Sequence, residues 1–323
     1  MAMSPPPIEL LTPFERWSFS LMDRLQREVQ PFGNLWLRHI TQRWMDLGSS
    51  RMLIPVGIER IAGVTAKDRV LLVSNHRTFA DLYMLLLLLR RFTALQQSVL
   101  CPVRADFFYE QPAGVAVNLL VGGGRMFPPF FRDPAKLPFN RWSLARLAEI
   151  LRSDDPVIVG FHPEGRRNRE PSPYTPLPAQ PGAGKLVMDS WPVIVPAFIN
   201  GLTNNIAADI VGNFRGTRTV VAVFGEPLDL TPFRKLGDRL TSHKRIADAV
   251  LYVASIIVTI PSIALFGLMI PVLSLIGHGI GWLPAVITRS TAPDKKATSL
   301  RKEPDPDFCP TGSPTLWPQA SQY

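Results

Sequence analysis

The feature that most constrains the fold is an alternation of apolar strand patterns with helical patterns between residues 69 and 230. Short apolar runs rich in valine occur at 70–73, 157–161, 193–197 and 219–224, and each is typical of a buried strand. Strands that alternate with helices favour a parallel or mixed sheet whose faces are covered. We therefore predict an α/β fold with a mixed, mainly parallel sheet flanked by helices.

Helical patterns fill the intervals between these strands. Residues 80–89 are apolar nearly all round, 112–120 favour a second helix, and 142–152 form an amphipathic one. A further short strand is predicted at 99–103. The proline-rich stretch 171–181 is typical of a loop.

Two amphipathic helical segments precede the alternation. Thr12, Pro13 and Glu15 predict a strong helix start, because they supply an N-cap, a proline in the first turn and a capping-box carboxylate. We expect this helix to end at Gly33 and a second one to cover 35–47. Tryptophan and arginine on such helices suit a bilayer interface, whereas helices that simply cover the core would show the same pattern.

A long uncharged segment follows the alternation. Residues 249–288 contain no Asp, Glu, Lys or Arg and are interrupted by prolines. One membrane crossing needs roughly 20 residues, and two need roughly 40 plus a turn. Basic residues on both sides favour two cytoplasmic ends. We predict a hydrophobic membrane hairpin; a kinked single span and a buried helix pair are the alternatives.

These patterns divide the chain into four parts. We expect an N-terminal amphipathic helical region at 1–54, a catalytic α/β domain at 55–245 and a hydrophobic membrane segment at 246–289. Residues 290–323 are rich in proline, serine and threonine and are expected to be a disordered tail. The N-terminus has no basic and apolar signal pattern, so no cleaved signal peptide is expected.

Charge and cysteine content narrow the partners. The net charge of +9 favours an anionic partner such as a phosphorylated substrate or an anionic membrane. The basic residues do not form one stripe interleaved with aromatics, so no nucleic acid is expected. Cys101 and Cys309 have neither metal-ligand nor disulfide-framework spacing, which indicates a reducing compartment.

His76 and Asp81 are the candidate catalytic pair. His76 follows an apolar strand and precedes a helix, a position where a rigid frame presents an accessible side chain. A neutral imidazole can take a proton from an attacking hydroxyl, and a carboxylate can fix its tautomer. The pair requires His76 before the helix and Asp81 in its first turn, with Thr78 as the expected N-cap. A loop histidine beside a helix-start carboxylate is the alternative.

A second candidate element is the turn at 161–169. Proline and glycine force a tight bend that places Glu164 at its tip. Arg166 and Arg167 follow, and guanidinium groups bind phosphate oxygens in bidentate fashion. A solvated basic loop is the other interpretation.

Taken in order, these segments resemble the 1-acylglycerol-3-phosphate acyltransferase (lysophosphatidic acid acyltransferase) family, within the glycerolipid acyltransferases. Residues 75–81 match its Asn-His-x4-Asp block, and 161–167 resemble its Phe-Pro-Glu-Gly-Thr-Arg block. Residues 192–196 match its late Val-Pro block, and 224–227 resemble a family strand end. The resemblance covers about residues 55–230.

The chain departs from this family in two blocks. His162 is inserted between the phenylalanine and the proline of the second block, and Arg166 replaces its threonine. The glycine–phenylalanine–arginine block is recognisable at Gly124 and Phe127, and the arginine nearest to the expected position is Arg132. That block helps to hold glycerol phosphate in the family, so the departure bears on the acceptor.

The resemblance implies a direct acyl transfer. His76 is expected to act as general base on a lipid hydroxyl, oriented by Asp81, and the hydroxyl attacks the thioester of acyl-CoA or acyl-carrier protein. No cofactor, metal or acyl-enzyme is expected. The implied substrate-binding residues are Asn75, Gly124, Phe127, Arg132, Glu164, Gly165, Arg166 and Arg167.

The expected acceptor is a lysophosphatidic acid-like lipid in phospholipid biosynthesis, at a membrane, with the catalytic domain facing the cytoplasm. An acyltransferase for a lysophospholipid or an amino-acid lipid is one alternative. A non-catalytic lipid-binding member of the fold is another, against which the intact His76, Asp81 and Glu164 argue.

Overall fold

A computed structural model describes residues 4–256. The strands are β1 (Leu53–Val56), β2 (Arg69–Ser74), β3 (Ser98–Leu100), β4 (Val103–Arg104), β5 (Pro129–Phe130), β6 (Val157–Phe161), β7 (Val193–Asn200) and β8 (Val220–Phe224). The α-helices are α1 (Pro13–Glu28), α2 (Gln30–Trp36), α3 (Gln42–Ser49), α4 (Asp81–Phe92), α5 (Ala105–Phe108), α6 (Pro112–Leu120), α7 (Leu137–Arg152), α8 (Pro181–Ser190), α9 (Ile206–Arg215) and α10 (Leu240–Ile256).

The predicted α/β class with a mixed, mainly parallel sheet is confirmed. Six strands form one sheet in the order β1-β8-β7-β2-β6-β3. Strands β7, β2, β6 and β3 are parallel to one another, β8 runs antiparallel to β7, and β1 is parallel to β8. Leu71 and Leu72 of the central strand β2 are both buried, on opposite faces, because helices cover the sheet on its two sides.

The strand expected at 99–103 is only partly correct. Strand β3 ends at Leu100, and β4 pairs instead with β5 in a separate two-stranded sheet. Pro102 stands between β3 and β4. Because proline has no N–H to donate to a ladder, it interrupts the strand there.

The N-terminal helices form, with one boundary that differs from the prediction. Thr12 and Glu15 make the expected capping box, with the Thr12 N–H donating to Glu15 Oε2 at 2.8 Å. Gly33, however, lies inside α2 and does not end a helix. A Cβ at Gly33 would lie 2.7 Å from the carbonyl oxygen of Gly123. The glycine therefore serves the close approach of two backbones.

No helix within residues 4–256 is long and apolar enough to cross a membrane. The membrane hairpin predicted at 249–288 lies almost entirely outside the described residues. Of this segment, the structure describes only residues 249–256, which form the end of α10. The tail predicted at 290–323 lies wholly outside them.

Candidate active site

His76 lies just beyond the carboxyl end of the central strand β2 and before α4. Its imidazole Nδ1 is 3.2 Å from Asp81 Oδ2, and about a fifth (21%) of its side chain is exposed. Ligands of open α/β sheets bind at this edge, outside the carboxyl ends of the parallel strands. The structure therefore brings the two predicted catalytic side chains together at an accessible place.

The Asp81 carboxylate is held by its own chain segment. Oδ2 accepts from the backbone N–H groups of Arg77 and Thr78 at 2.6 and 2.7 Å, and Oδ1 accepts from the Thr78 hydroxyl at 2.6 Å. The side chain is 1% exposed. Helix α4 begins at Asp81 with Ala80 as its N-cap. The expectation that Thr78 caps the helix is therefore wrong, because its hydroxyl serves Asp81.

This arrangement selects one tautomer of His76. Asp81 is an acceptor for its three other contacts, so the Nδ1 of His76 carries the proton and donates to Oδ2. The Nε2 atom then keeps its lone pair. An imidazole in this state can accept a proton from a hydroxyl group.

His162 stacks on His76, a contact that the sequence did not reveal. The ring centroids are 3.9 Å apart and the planes differ by 10°. His162 Nδ1 lies 3.2 Å from the backbone oxygen of Ser74, so it donates there. Burial and the neighbouring His76 hold the pKa of His162 well below its usual range. The inserted residue is thus a neutral ring against which the His76 imidazole packs.

Glu164 is buried and supports the site from beneath. It is 1% exposed. Oε1 accepts from the His76 N–H at 2.9 Å, and Oε2 accepts from the Leu177 N–H at 2.9 Å. Burial raises the pKa of Glu164, and the two backbone N–H groups partly offset that rise. These contacts give Glu164 a positioning role, and its implied role in acceptor binding stays a prediction.

Gly165 completes the turn next to Glu164. Its φ is +66°, and a Cβ there would lie 2.9 Å from Gln180 Cγ. Because side chains disfavour this left-handed conformation, glycine is required. Gly165 is exposed, and so is Arg166.

Asn75 is also structural. It is 3% exposed, and its amide donates to the Ile199 oxygen and accepts from the Ile199 N–H, both at 2.9 Å. These bonds tie the end of β2 to β7. Both halves of the amide are occupied within the protein, and the expected substrate contact of Asn75 stays a prediction.

Gly124 and Phe127 are packed inside the protein. Phe127 is fully buried and packs against the rings of Phe19 and Trp142. Gly124 is buried, with φ +75° and with Leu25 of α1 3.1 Å from a Cβ placed on it. This glycine-rich turn therefore packs under α1, and the substrate contacts expected of both residues stay predictions.

Two arginines share the acidic residue Asp106, and a third, Arg167, lies on an aromatic ring. Arg104, which ends β4, pairs with Asp106, and the exposed Arg132 lies 4.0 Å from the same carboxylate. Arg167 lies with its guanidinium 3.8 Å from the Phe79 ring centroid. Desolvation lowers the pKa of Arg167, and the charge of Arg104 adds to that effect while Asp81 opposes it. The candidate pair is thus flanked by positive charge.

Sequence reasoning missed Arg104. It lies directly after the strand that was predicted at 99–103, and strand ends are where functional groups gather in such sheets. Its Nε atom is buried without a partner among the described residues. Its place at a predicted strand end is therefore the sequence signal that could have identified Arg104 as a candidate site residue.

The side chains of His76, Asp81 and His162 could be considered as metal ligands, since their ligand atoms lie within 4.8 Å of one another. Their geometry does not suit an ion. The two imidazoles are stacked in parallel, whereas metal ligands must converge on one point. Asp81 already accepts from backbone and hydroxyl donors.

One family model and one solved structure are similar to much of this chain. Residues 56–200 match the family model described as Acyltransferase. A solved structure of the 1-acyl-sn-glycerophosphate (LPA) acyltransferase PlsC from Thermotoga maritima aligns with 17% identity and a TM-score of 0.40. The alignment covers 73% of this chain and 80% of that one. A likeness this low carries no conclusion about substrate.

A short segment of the chain is also similar to part of a transport protein. The osmoprotectant import permease protein OsmW of Salmonella typhimurium is 65% identical over 51 residues, which are 16% of this chain. They are 24% of that protein, so the match spans about a quarter of its length. The name of that protein therefore assigns no activity here.

The matched interval 56–200 holds β2, the His76–Asp81 pair and the turn with Glu164. This part of the chain therefore carries the acyltransferase domain that the family model describes.

Proposed function

We propose that this acyltransferase moves a fatty acyl group from a thioester, acyl-CoA or acyl-carrier protein, to the hydroxyl of a lysophosphatidic acid-like lipid. The observation that carries the proposal is the His76–Asp81 pair beside a group of arginines. Asp81 fixes the ring of His76 at 3.2 Å, and the arginines supply positive charge for an acceptor that carries phosphate.

The proposed reaction needs one proton carrier. The Nε2 atom of His76 takes the proton of the acceptor hydroxyl as its oxygen attacks the thioester carbon. The carbon–sulfur bond then breaks, and the imidazolium returns the proton to the leaving thiolate. The products are an ester and a free thiol, and Asp81 stabilises the transient positive charge.

The arginines are proposed to hold the acceptor phosphate. Arg104 has a buried, unpartnered Nε, and Arg167 is partly desolvated. Both properties favour a charged oxygen as an additional partner. Arg132 and Arg166 are exposed and are assigned a supporting electrostatic role.

We further propose that the enzyme works at a membrane with its catalytic domain on the cytoplasmic face. Trp17, Phe32, Leu35 and Trp44 of the N-terminal helices expose between 42% and 58% of their surface. Exposed aromatic and aliphatic side chains on basic helices are typical of interfacial contact. A lipid acceptor would then reach the site from the bilayer.

The acceptor assignment is tested with purified enzyme and a panel of lysolipids, each offered with both donor types. Lysophosphatidic acid and its dephosphorylated counterpart, monoacylglycerol, are the decisive pair. In Arg104→Gln and Arg167→Gln, KM for lysophosphatidic acid should rise while turnover of monoacylglycerol stays unchanged. The distant Arg152→Gln is the charge-matched control. Equal use of both acceptors by the wild type would contradict a phosphate-bearing acceptor.

A further inference from the structure

A basic cleft lies on the surface between the Leu37–Thr41 turn, the start of α3 and the end of α4. It has a volume of about 280 Å³ and is lined by Arg38, His39, Gln42, Arg43, Arg90 and Gln96. Asp81 and Arg90 are the first and tenth residues of α4. At 1.5 Å per residue they are separated by roughly 14 Å along the helix axis, so the cleft is separate from the candidate active site.

The local backbone gathers these side chains. A π-helical turn, Leu37–Thr41, joins α2 to α3. Such turns are rare and frequently occur at functional sites. Arg38 and His39 belong to the turn, and Arg43 follows it in the first turn of α3.

Within the part of the chain that the structure describes, no acidic group compensates the positive charge of the cleft. No carboxylate lines the cleft, and within residues 4–256 neither Arg38 nor Arg43 has a hydrogen-bonding or ion-pair partner. Asp46, on the same helix as Arg43, pairs instead with Arg91 at 3.1 Å. Like charges held together without a counter-charge are unfavourable unless an anion binds between them.

Arg90 forms the inner wall of the cleft. Burial lowers its pKa, and the charge of Arg38 adds to that effect. Its Nη2 donates weakly to the Gln97 oxygen at 3.4 Å, while its Nε is buried without a partner among the described residues. Gln42 Oε1 is likewise unpartnered. Turning that amide about its last bond presents the NH₂ group in its place, so both residues can offer donors.

The surroundings of the cleft are apolar. Ile40, Trp44 and Leu47 are exposed to 43%, 42% and 65% and lie within a few residues of Arg38 or Arg43 in the chain. A phosphate bound here would lie beside side chains that suit the interfacial zone of a bilayer.

We propose that this cleft binds a phosphate group at a site separate from acyl transfer. Arg38, Arg43 and Arg90 contact its oxygens, with Gln42 as an additional donor. The phosphate belongs either to the headgroup of an anionic membrane lipid or to a free phosphate. The chemistry is the same for both, and the experiment separates them.

The test uses the full-length chain in nonionic detergent and isothermal titration calorimetry. The probes are inorganic phosphate, short-chain phosphatidylglycerol and short-chain phosphatidylcholine. The cleft variant is Arg38→Gln with Arg43→Gln. The control is Arg24→Gln with Arg51→Gln, which removes the same charge from exposed positions outside the cleft.

At least one of the two anionic probes should bind to the wild type and to the control with the same affinity. The cleft variant should bind that probe at least roughly tenfold more weakly. Loss confined to phosphatidylglycerol identifies a lipid headgroup, and loss that includes inorganic phosphate identifies a free phosphate site. Wild-type protein that binds neither anionic probe would overturn the proposal. So would a cleft variant that binds like the wild type, or a control that loses as much affinity as the cleft variant.

Discussion

At the scale of single residues, the chemistry of His76 depends on how Asp81 is held. Asp81 accepts from two backbone N–H groups and one hydroxyl of its own segment, so its orientation is set before any substrate arrives. The imidazole is then fixed from two sides, by Asp81 at its edge and by the His162 ring on its face. Preorganisation of this kind lowers the cost of reaching the reactive geometry.

Replacing Asp81 by asparagine is expected to lower kcat by roughly 10²–10⁴-fold with little change in KM. The asparagine amide no longer selects the His76 tautomer with a free Nε2. Steady-state kinetics with a thioester donor measure this. Asp46→Asn, which removes an exposed carboxylate, is the control and should retain activity. A normal kcat in Asp81→Asn would show that Asp81 does not orient the base.

His162 makes the free energy of unfolding depend on pH. Its pKa is depressed in the folded protein, so below its ordinary value of 6.5 the unfolded state binds more protons. The free energy of unfolding should therefore fall as pH drops below that value, by up to about 1.4 kcal/mol per pH unit for this one group. Urea unfolding at a series of pH values measures the slope. His162→Gln should flatten it, and the exposed His39→Gln should not; equal slopes in all three proteins would refute the assignment.

At the scale of elements, the site is assembled by two turns that follow neighbouring strands. The segment after β2 carries His76, and the turn after β6 carries Glu164, whose carboxylate reaches back to the His76 N–H. The Asn168 N–H donates to the His76 oxygen at 2.6 Å. The proline-rich stretch 171–181 is tied to the same carboxylate through Leu177. Glu164 is thus the link between the catalytic segment and this loop.

Glu164→Gln is expected to loosen that loop. The glutamine oxygen can replace only one of the two carboxylate acceptors, so one buried N–H loses its partner at a cost of about 1–3 kcal/mol. Hydrogen exchange should quicken in peptides that contain Leu177, and kcat should fall because the His76 backbone is less firmly held. Glu170→Gln, an exposed carboxyl of the same loop, should exchange as the wild type does. Unchanged exchange in Glu164→Gln would contradict the linking role.

The sequence predicted the elements better than the contacts between them. Strand and helix periods are local, so the sheet, the capping box and the position of His76 at a strand end could all be predicted. Asn75 pairs with Ile199, which lies far along the chain, and His162 stacks on His76 only because β2 and β6 are neighbours. No local pattern encodes such partners. The family resemblance assigns Asn75 and Glu164 to the substrate, and the structure adds that both side chains bond to backbone groups of distant segments.

At the scale of the whole molecule, the described unit presents an apolar and basic surface on its N-terminal helices. The sequence left open whether these helices cover the core or contact a bilayer, and the structure allows both roles on opposite faces. Phe19 and Met22 are buried in the core, whereas Trp17 and Trp44 are 55% and 42% exposed. Exposed tryptophans are suited to the interface between water and hydrocarbon.

If these helices dock on a bilayer, brominated lipids should quench the fluorescence of Trp17 and Trp44. In vesicles, the quenched fraction should drop when both are replaced by phenylalanine. Trp142→Phe is the control, because Trp142 is 8% exposed and should contribute little to quenching. A quenched fraction that is the same in the double variant and the wild type would contradict docking through this surface.

The most direct test of the central claim is acyl transfer by His76→Ala. The variant and the wild type are purified in parallel, supplied with a thioester donor and lysophosphatidic acid, and the acylated lipid is quantified by mass spectrometry. Because the imidazole is the proposed proton carrier, the variant should lose roughly 10²–10⁴-fold in kcat while its fold, followed by circular dichroism, is unchanged. Near-normal formation of the acylated lipid by a folded His76→Ala would contradict the account.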